Sequence, residues 1–559
     1  MIRIFRHKAF HKIKPRYKAF HKIEFRYNAF HKTKFLNKPF HISKFLNKTF
    51  PKINKCAALF LILLPFFFLF SDAEAQQKQV TIINASRIVG GTYQGEQVRR
   101  ILGQVHIRHD DLEMYCDSAY QFIDRSEIRA FGNIEIDTGE EKIWADTLRY
   151  FTDIDFSELR GRVIMEDDST TLFGHSVDYG FSDKIAHFKD QICLEDHRGT
   201  LKADSGYYYR SVDSVEFKGK VQIADSLQYL EADSLFGNRG KEYYEMHSRV
   251  YGHDRKNNSM IKGAYLETDS TGRRLLKEQA WLKNFEADTS DTTQADTTHI
   301  RAQTILSLEQ RSPPDTTVIT HGFGNVRIWS TDFSAVADTS QYTDSTQTFE
   351  LWSNAKAWHD NVQLTGPYIE AILKDGHIDS LKSHPNPFSV QQDTSIDRLN
   401  QITGDTLHAD FTQGTLREIH VFQNAKLFRF MKNQQQEPDG AIELAAPSVR
   451  IVFAGGEVDS MIATGANKGS RLPENDTTTN HQLEGFSWNP DQRPQEPAEP
   501  MKRRLPPIGD ELLFELPERY LEHLRNTRPG SPRLPDGIEK KPPPKRDPEA
   551  VPEDTMQVD

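Results

Sequence analysis

Between Arg99 and Leu266 apolar and polar residues alternate in short runs, and the runs recur every 29 residues. The marks of the recurrence are Gly103, Gly132, Gly161, Asp190, Gly219 and Ser248. Two residues after each mark stand Val105, Ile134, Val163, Ile192, Val221 and Val250, and four after it Ile107, Ile136, Met165, Leu194, Ile223 and Gly252. A period of two is the signature of a strand with one apolar face. Acidic turn formers follow, as in Asp137-Thr138-Gly139-Glu140 and Glu166-Asp167-Asp168-Ser169, so each strand is expected to return as a hairpin. On the returning strand Met114, Ile143, Leu172, Leu201 and Leu230 form a large row, with Cys116, Ala145, Gly174, Ala203 and Ala232 as a small row two residues further on. A third row, Asp117, Asp146, His175, Asp204, Asp233 and Lys262, lies fourteen residues after each mark, each member followed by a small residue. Beyond it the phase becomes ambiguous: Tyr120, Tyr207 and Phe236 fall in one row and Tyr150, Tyr179 and Tyr208 in the next. A bulge at that point accounts for the change.

One hairpin cannot bury its own apolar face, so the repeats are expected to stack into a continuous antiparallel sheet that folds over itself. A parallel β-helix is the competing solenoid and ranks lower, because polar turns between paired strands fit hairpins better than crossover coils. After Leu266 the phase breaks at a Thr- and Asp-rich insertion, Asn284 to His299, and returns with Gly324-Asn325-Val326-Arg327-Ile328 and Asp338-Thr339. Ser353 and Pro367 hold the corresponding slots 29 residues on, and Gly404-Asp405 and Ala446-Pro447-Ser448 are weaker echoes. The expected organisation is a first β-repeat domain over residues 76–290 and a second, degenerate block over 300–465.

Composition changes the picture at both ends. Residues 1–55 carry sixteen Lys or Arg and one acid, Glu24, in a decapeptide repeat marked by Phe10, Phe20, Phe30, Phe40 and Phe50. It suits no packed fold and is set aside as low-complexity sequence that need not belong to the mature protein. Without it the chain holds 54 basic and 79 acidic residues, a balance of −25 that argues against a nucleic-acid partner. Ala57 to Phe70 is almost wholly apolar and Ala73-Glu74-Ala75 closes it, so residues 56–75 read as a signal peptide and its cleavage region, with an uncleaved anchor as the alternative. From Pro490 onward lie fifteen of the 27 prolines, so residues 470–559 are expected to be a disordered Pro-rich tail. A short helix near 510–526 interrupts it, with Leu512, Leu513, Leu516, Tyr520, Leu521 and Leu524 on one side, a transient helix in a solvated tail or, as the alternative, a segment that docks on a partner. Cys116 falls on the inward small row and Cys193 between inward Ile192 and Leu194, so the two should face opposite ways.

No nucleophile elbow, phosphate loop, HExxH or CxxC appears in the sequence, which points away from an enzyme. No metal or cofactor is expected either. Equivalent aspartates of successive hairpins are two strands, about 9–10 Å, apart, too far to share one ion. The feature left is an apolar inner face with a small row in it, which makes a greasy groove for lipid chains. Its candidates are Val105, Ile107, Ile134, Ile136, Val163, Met165, Ile192, Leu194, Val221 and Ile223 on the outgoing strands. Ile143, Ala145, Leu172, Leu201 and Leu230 join them on the returning ones.

The repeated units Gly132-Asn133-Ile134-Glu135-Ile136 with Ala145-Asp146-Thr147, and Gly219-Lys220-Val221-Gln222-Ile223 with Ala232-Asp233-Ser234, resemble the OstA-like domain of the lipopolysaccharide-transport proteins, the LptA family and the periplasmic part of LptD. The resemblance covers about Val80 to Leu266 and, weakly, the later block. It implies a taco-like β-jellyroll that stacks head to tail, holds lipopolysaccharide or a related lipid by its acyl chains and works in the periplasm with other envelope transport proteins. The chain is longer than LptA and has no terminal barrel like that of LptD, so bridge and accessory both stand as roles. A structural or adhesive β-repeat protein with a sealed core is the alternative.

Overall fold

The computed structural model describes residues 80–93, 95–285, 297–312, 315–374, 376–498, 501–506 and 514–527. The basic repeat, the signal segment and residues 528–559 lie outside them. Twenty-nine strands, from β1 (Thr81–Asn84) to β29 (Lys468–Leu472), form one antiparallel sheet. Successive strands pair in chain order: β3 (Glu96–His109) with β4 (Leu112–Phe122), β4 with β5 (Glu127–Asp137), and β5 with β6 (Lys142–Phe151). Pairing continues across the insertion, where Phe285 stands opposite Thr297, so the early and late repeats belong to one sheet.

The long strands are bent at their middles by bulges. In β3, Leu102 lies opposite Ser118 and Val105 opposite Cys116, so Gly103 and Gln104 together face the single residue Asp117. Gly132 and Asn133 repeat this in β5 with φ of 75° and 44°, a left-handed pair that favours glycine at the first position. The bulge reverses the parity of the inner face. Met114 and Cys116 point inward before it and Ala119 after it, just as Ile143 and Ala145 give way to Leu148 and Tyr150. That reversal is the phase change seen in the sequence. Folded at the row of bulges, the sheet encloses one apolar core that runs from Ile101 to Phe453.

The third row supplies the lining of the bulges. Asp117 accepts from Asn133 (2.9 Å), Asp146 from the Arg162 backbone and guanidinium (3.0 and 2.7 Å), and Asp233 from Arg249 (2.8 Å). The later aspartates do the same, Asp338 with Asn354 (2.8 Å) and Asp405 with Asn424 (3.0 Å). Lys262 is a correction. Leu230 stands opposite Ile223, but Ile261 stands opposite Gly252, so the later turn is two residues longer. Ala264 therefore takes the bulge slot and Lys262 pairs with Tyr251 on the regular ladder.

The tail differs from a solvated segment wherever it is described. Residues 473–498 and 501–506 run back over the outer face of the sheet, against the order of the strands. Gln401 donates to the His481 carbonyl (3.0 Å) and accepts from the Leu483 amide (2.9 Å). Gln363 does likewise with Ser487 and Asn489 (both 2.8 Å), so two buried amides are satisfied by tail backbone. Met501 packs with Tyr229, Tyr251 and Trp281. Helix α1 (Glu518–Thr527) then sets Tyr520 and Leu524 on an outward apolar patch of Trp144, Ile164, Phe173 and Cys193. Pro-rich composition did not reveal this docking. The sequence does carry a signal for it in Ile143-Trp144, Val163-Ile164-Met165, Leu172-Phe173 and Ile192-Cys193-Leu194, where alternation fails and both faces of the strand are apolar.

Candidate functional site

The fold places all fifteen candidate lining residues on the inner face. Val105, Ile107, Ile134, Ile136, Ile143, Ala145, Val163, Met165, Leu172, Ile192, Leu194, Leu201 and Val221 are buried in the one core cluster, and Ile223 and Leu230 are partly buried against it. Glu135 and Lys142 face outward and pair with each other at 3.2 Å. Cys116 lies in the inner core and Cys193 in the outer patch beneath α1, on opposite faces as the register requires, and burial pushes both thiols up to about 12.

The small row does not leave the interior hollow, because large residues from the next strand fill the space. A Cβ on Gly174 would meet the Phe188 ring of the next strand. Near the later strands an apolar cavity lined by Ala357, Leu364, Leu381, Leu407 and Ile419 measures about 20 Å³, room for about one water.

What closes the folded sheet on its open side was not foreseen. The hairpin turns lie along two rims, one holding residues 138–141, 167–169 and 197–198, the other 181–184, 210–213 and 239–242. Charged and polar side chains join them. Glu141 of the first rim pairs with Arg210 of the second (2.8 Å) and accepts from the Tyr179 hydroxyl. Arg210 also holds Asp167 (2.7 Å), Arg239 holds Asp196, and Lys184 holds Glu140. Arg198 donates to the Arg239 carbonyl (2.9 Å) and faces Asp213 (3.6 Å). Nearer the start, the Tyr150 hydroxyl donates to Asp155 (2.9 Å) and so accepts from His109 Nδ1 (2.6 Å). Further along, Asp332 accepts from the Ile378 amide (3.3 Å) beside His377 (3.1 Å).

Several of these charges are deeply buried. Arg239 is 3% exposed and the Asp196 side chain 4%. Burial raises the Asp196 carboxyl, but hydrogen bonds from Arg198 and the charge of Arg239 outweigh it and hold the group below its usual range. At Glu141 the balance goes the other way, and burial lifts the carboxyl despite Arg210. The Tyr208 hydroxyl is pushed up to about 12 by burial and by Asp213. Arg210 and Arg239 each reach back 43 residues, to Asp167 and Asp196, one 29-residue repeat apart, but the acidic turns read as solvated turn formers. The available signal was the spacing of Tyr150, Tyr179 and Tyr208, buried phenols whose hydroxyls each need a partner.

Residues 77–233 match the family described as OstA-like protein. No curated protein matches the chain. The matched segment spans the first hairpins and most of the rim contacts. Among the described residues no helix is long and apolar enough to cross a membrane.

Proposed function

We propose that this protein is a periplasmic carrier that takes lipid acyl chains between the two halves of its folded sheet, as a bridge for lipopolysaccharide or an accessory to one. The observation that supports this is a single apolar interior running from β3 to β27 (Pro438–Ala454), closed along one side by side-chain contacts between rims rather than by strand pairing. Such a closure can part while every backbone ladder stays intact. Each acyl methylene moved from water into that interior is worth about 0.8 kcal/mol. The role is binding and transfer, without catalysis. The end strands fit head-to-tail stacking with a second copy or another envelope transport protein: Ile88 on β2 (Arg87–Tyr93) and Ile462 on β28 (Glu457–Thr464) are about half exposed on the two outermost edges.

The filled interior favours a second reading, a structural or adhesive β-repeat protein whose core is permanently sealed. Photo-methionine separates the two, since Met114 and Met165 lie on the inner face and the replacement hardly changes their shape. Illumination of cells should link lipid to peptides containing these residues. Recovery of those peptides without lipid, together with lipid-free protein in native mass spectrometry, establishes the sealed core instead.

A further inference from the structure

Arg210 and Arg239 stand at the same place on the rim. Their guanidinium carbons lie 6.0 and 5.9 Å from the centre of one ring, that of Tyr208. Both are taken out of water, yet neither is fully used: Arg239 Nη1 and Arg210 Nε donate no hydrogen bond among the described residues. Their close partners Glu141, Asp167 and Asp196 come from the opposite rim, while Asp213 of their own rim faces Arg239 Nη1 at 3.5 Å. When the rims part, the carboxylates of the opposite rim leave together and the arginines remain. An arginine pair at the mouth of an apolar interior, with forked donors free, matches an oxyanion carried by an amphiphile.

We propose that Arg210 and Arg239 form a binding site for the phosphate of a phosphorylated lipid, which replaces Glu141, Asp167 and Asp196 on them as the seam opens. The inference rests on the lipid reading above and adds the headgroup it selects. Exchange of one anion for another keeps both guanidinium groups paired throughout, which avoids the penalty of stranding a buried charge. Glu141, whose carboxyl burial already disfavours as an anion, is the partner most readily given up. Lys184, held by the exposed Glu140 at the next turn, extends the basic rim toward solvent.

The test compares photoreactive phosphatidic acid with diacylglycerol of the same chains on the full-length protein. The wild type should capture phosphatidic acid about tenfold better, the difference expected for charge-assisted hydrogen bonds. Arg210→Gln with Arg239→Gln should bring the two probes to parity. Because that variant leaves acids buried and can fail to fold, a second arm locks the seam. Glu140→Cys and Lys184→Cys, joined by a reducible bifunctional thiol reagent in a Cys56→Ser background, should stop capture of both probes until the link is reduced. Inorganic phosphate in excess should leave capture unchanged, because it lacks chains. Equal capture of both probes by the wild type, a preference that survives the double substitution, capture undiminished by the lock, or loss of capture to inorganic phosphate each overturns this site and leaves the lipid reading standing. Capture of neither probe overturns that reading, and this site with it.

Discussion

At the scale of single residues the repeat is a matched pair, a glycine in left-handed backbone and a carboxylate that covers it. A Cβ built on Gly132 would run into the Asp117 carboxylate, and φ of 75° is a conformation that L residues resist. Gly132→Ala should therefore destabilise the protein by about 1–2 kcal/mol in urea unfolding. Adding Asp117→Ala removes the collision but not the backbone strain, so the double variant should recover only part of that loss. Full additivity of the two substitutions would mean that the residues do not interact. The sequence displayed both rows, and it gave the aspartates a structural role through geometry alone. It did not show what they touch, because Asn133, Arg162 and Arg249 are polar in different ways and share only their place after the mark.

At the scale of elements the hairpins were legible and the tail was not. Period two, acidic turns and a phase change after the small row were enough to derive bent antiparallel strands, because each is a local consequence of burying one face. The strap over the outer face depends on contacts between residues 80 to 274 positions apart. Gln401 and Gln363 meet it as ordinary polar residues of a strand, and only failed alternation at Trp144 and Phe173 hinted at a cover. Tyr520 closes that cover, 3% exposed and packed edge-on to Trp144 at 4.8 Å. Tyr520→Ala should loosen α1 and expose Cys193, which lies in the same cluster, while Cys116 stays inside the sheet. Iodoacetamide should then modify Cys193 at least several-fold faster than in the wild type and leave Cys116 protected. Equal acceleration at both thiols would show that the substitution unfolds the sheet rather than lifting the helix.

At the scale of the whole molecule the fold is a sheet closed on itself by charge, and this was the part least available to sequence reasoning. The rim partners come from different repeats, and although Asp167–Arg210 recurs one repeat later as Asp196–Arg239, nothing local in the sequence says which acid meets which arginine. Their burial makes closure sensitive to protonation and insensitive to salt, since a buried pair is screened far less than an exposed one. Asp196→Asn takes from buried Arg239 the closer of its two carboxylates and leaves Asp213 at 3.5 Å, so the cost should stay below the roughly 3–5 kcal/mol of a buried pair that loses its one partner. The pH dependence follows from the direction of each shift. Asp196 is held below its unfolded value of about 3.9, so its contribution is complete above that pH and is lost as pH falls through the lower folded value. Asp146, lowered chiefly by the hydrogen bond from Arg162, adds to the same loss. Glu141 is raised, so its protonation on acidification favours the fold and acts at higher pH than the others. Burial also holds His187, His253, His299, His321 and His408 below the usual imidazole range, so the unfolded chain takes up protons first; thermal stability should thus fall gradually from pH 7 and more steeply below about 4, where the depressed carboxylates protonate. In Asp196→Asn the melting temperature should be lower at pH 7 and the decline below pH 4 shallower, because one of the depressed carboxyls is gone. Calorimetry across that range, repeated in molar salt, decides the matter: a variant that declines as steeply as the wild type, or a wild type that salt destabilises as much as acid does, would show that the seam does not hold the sheet closed.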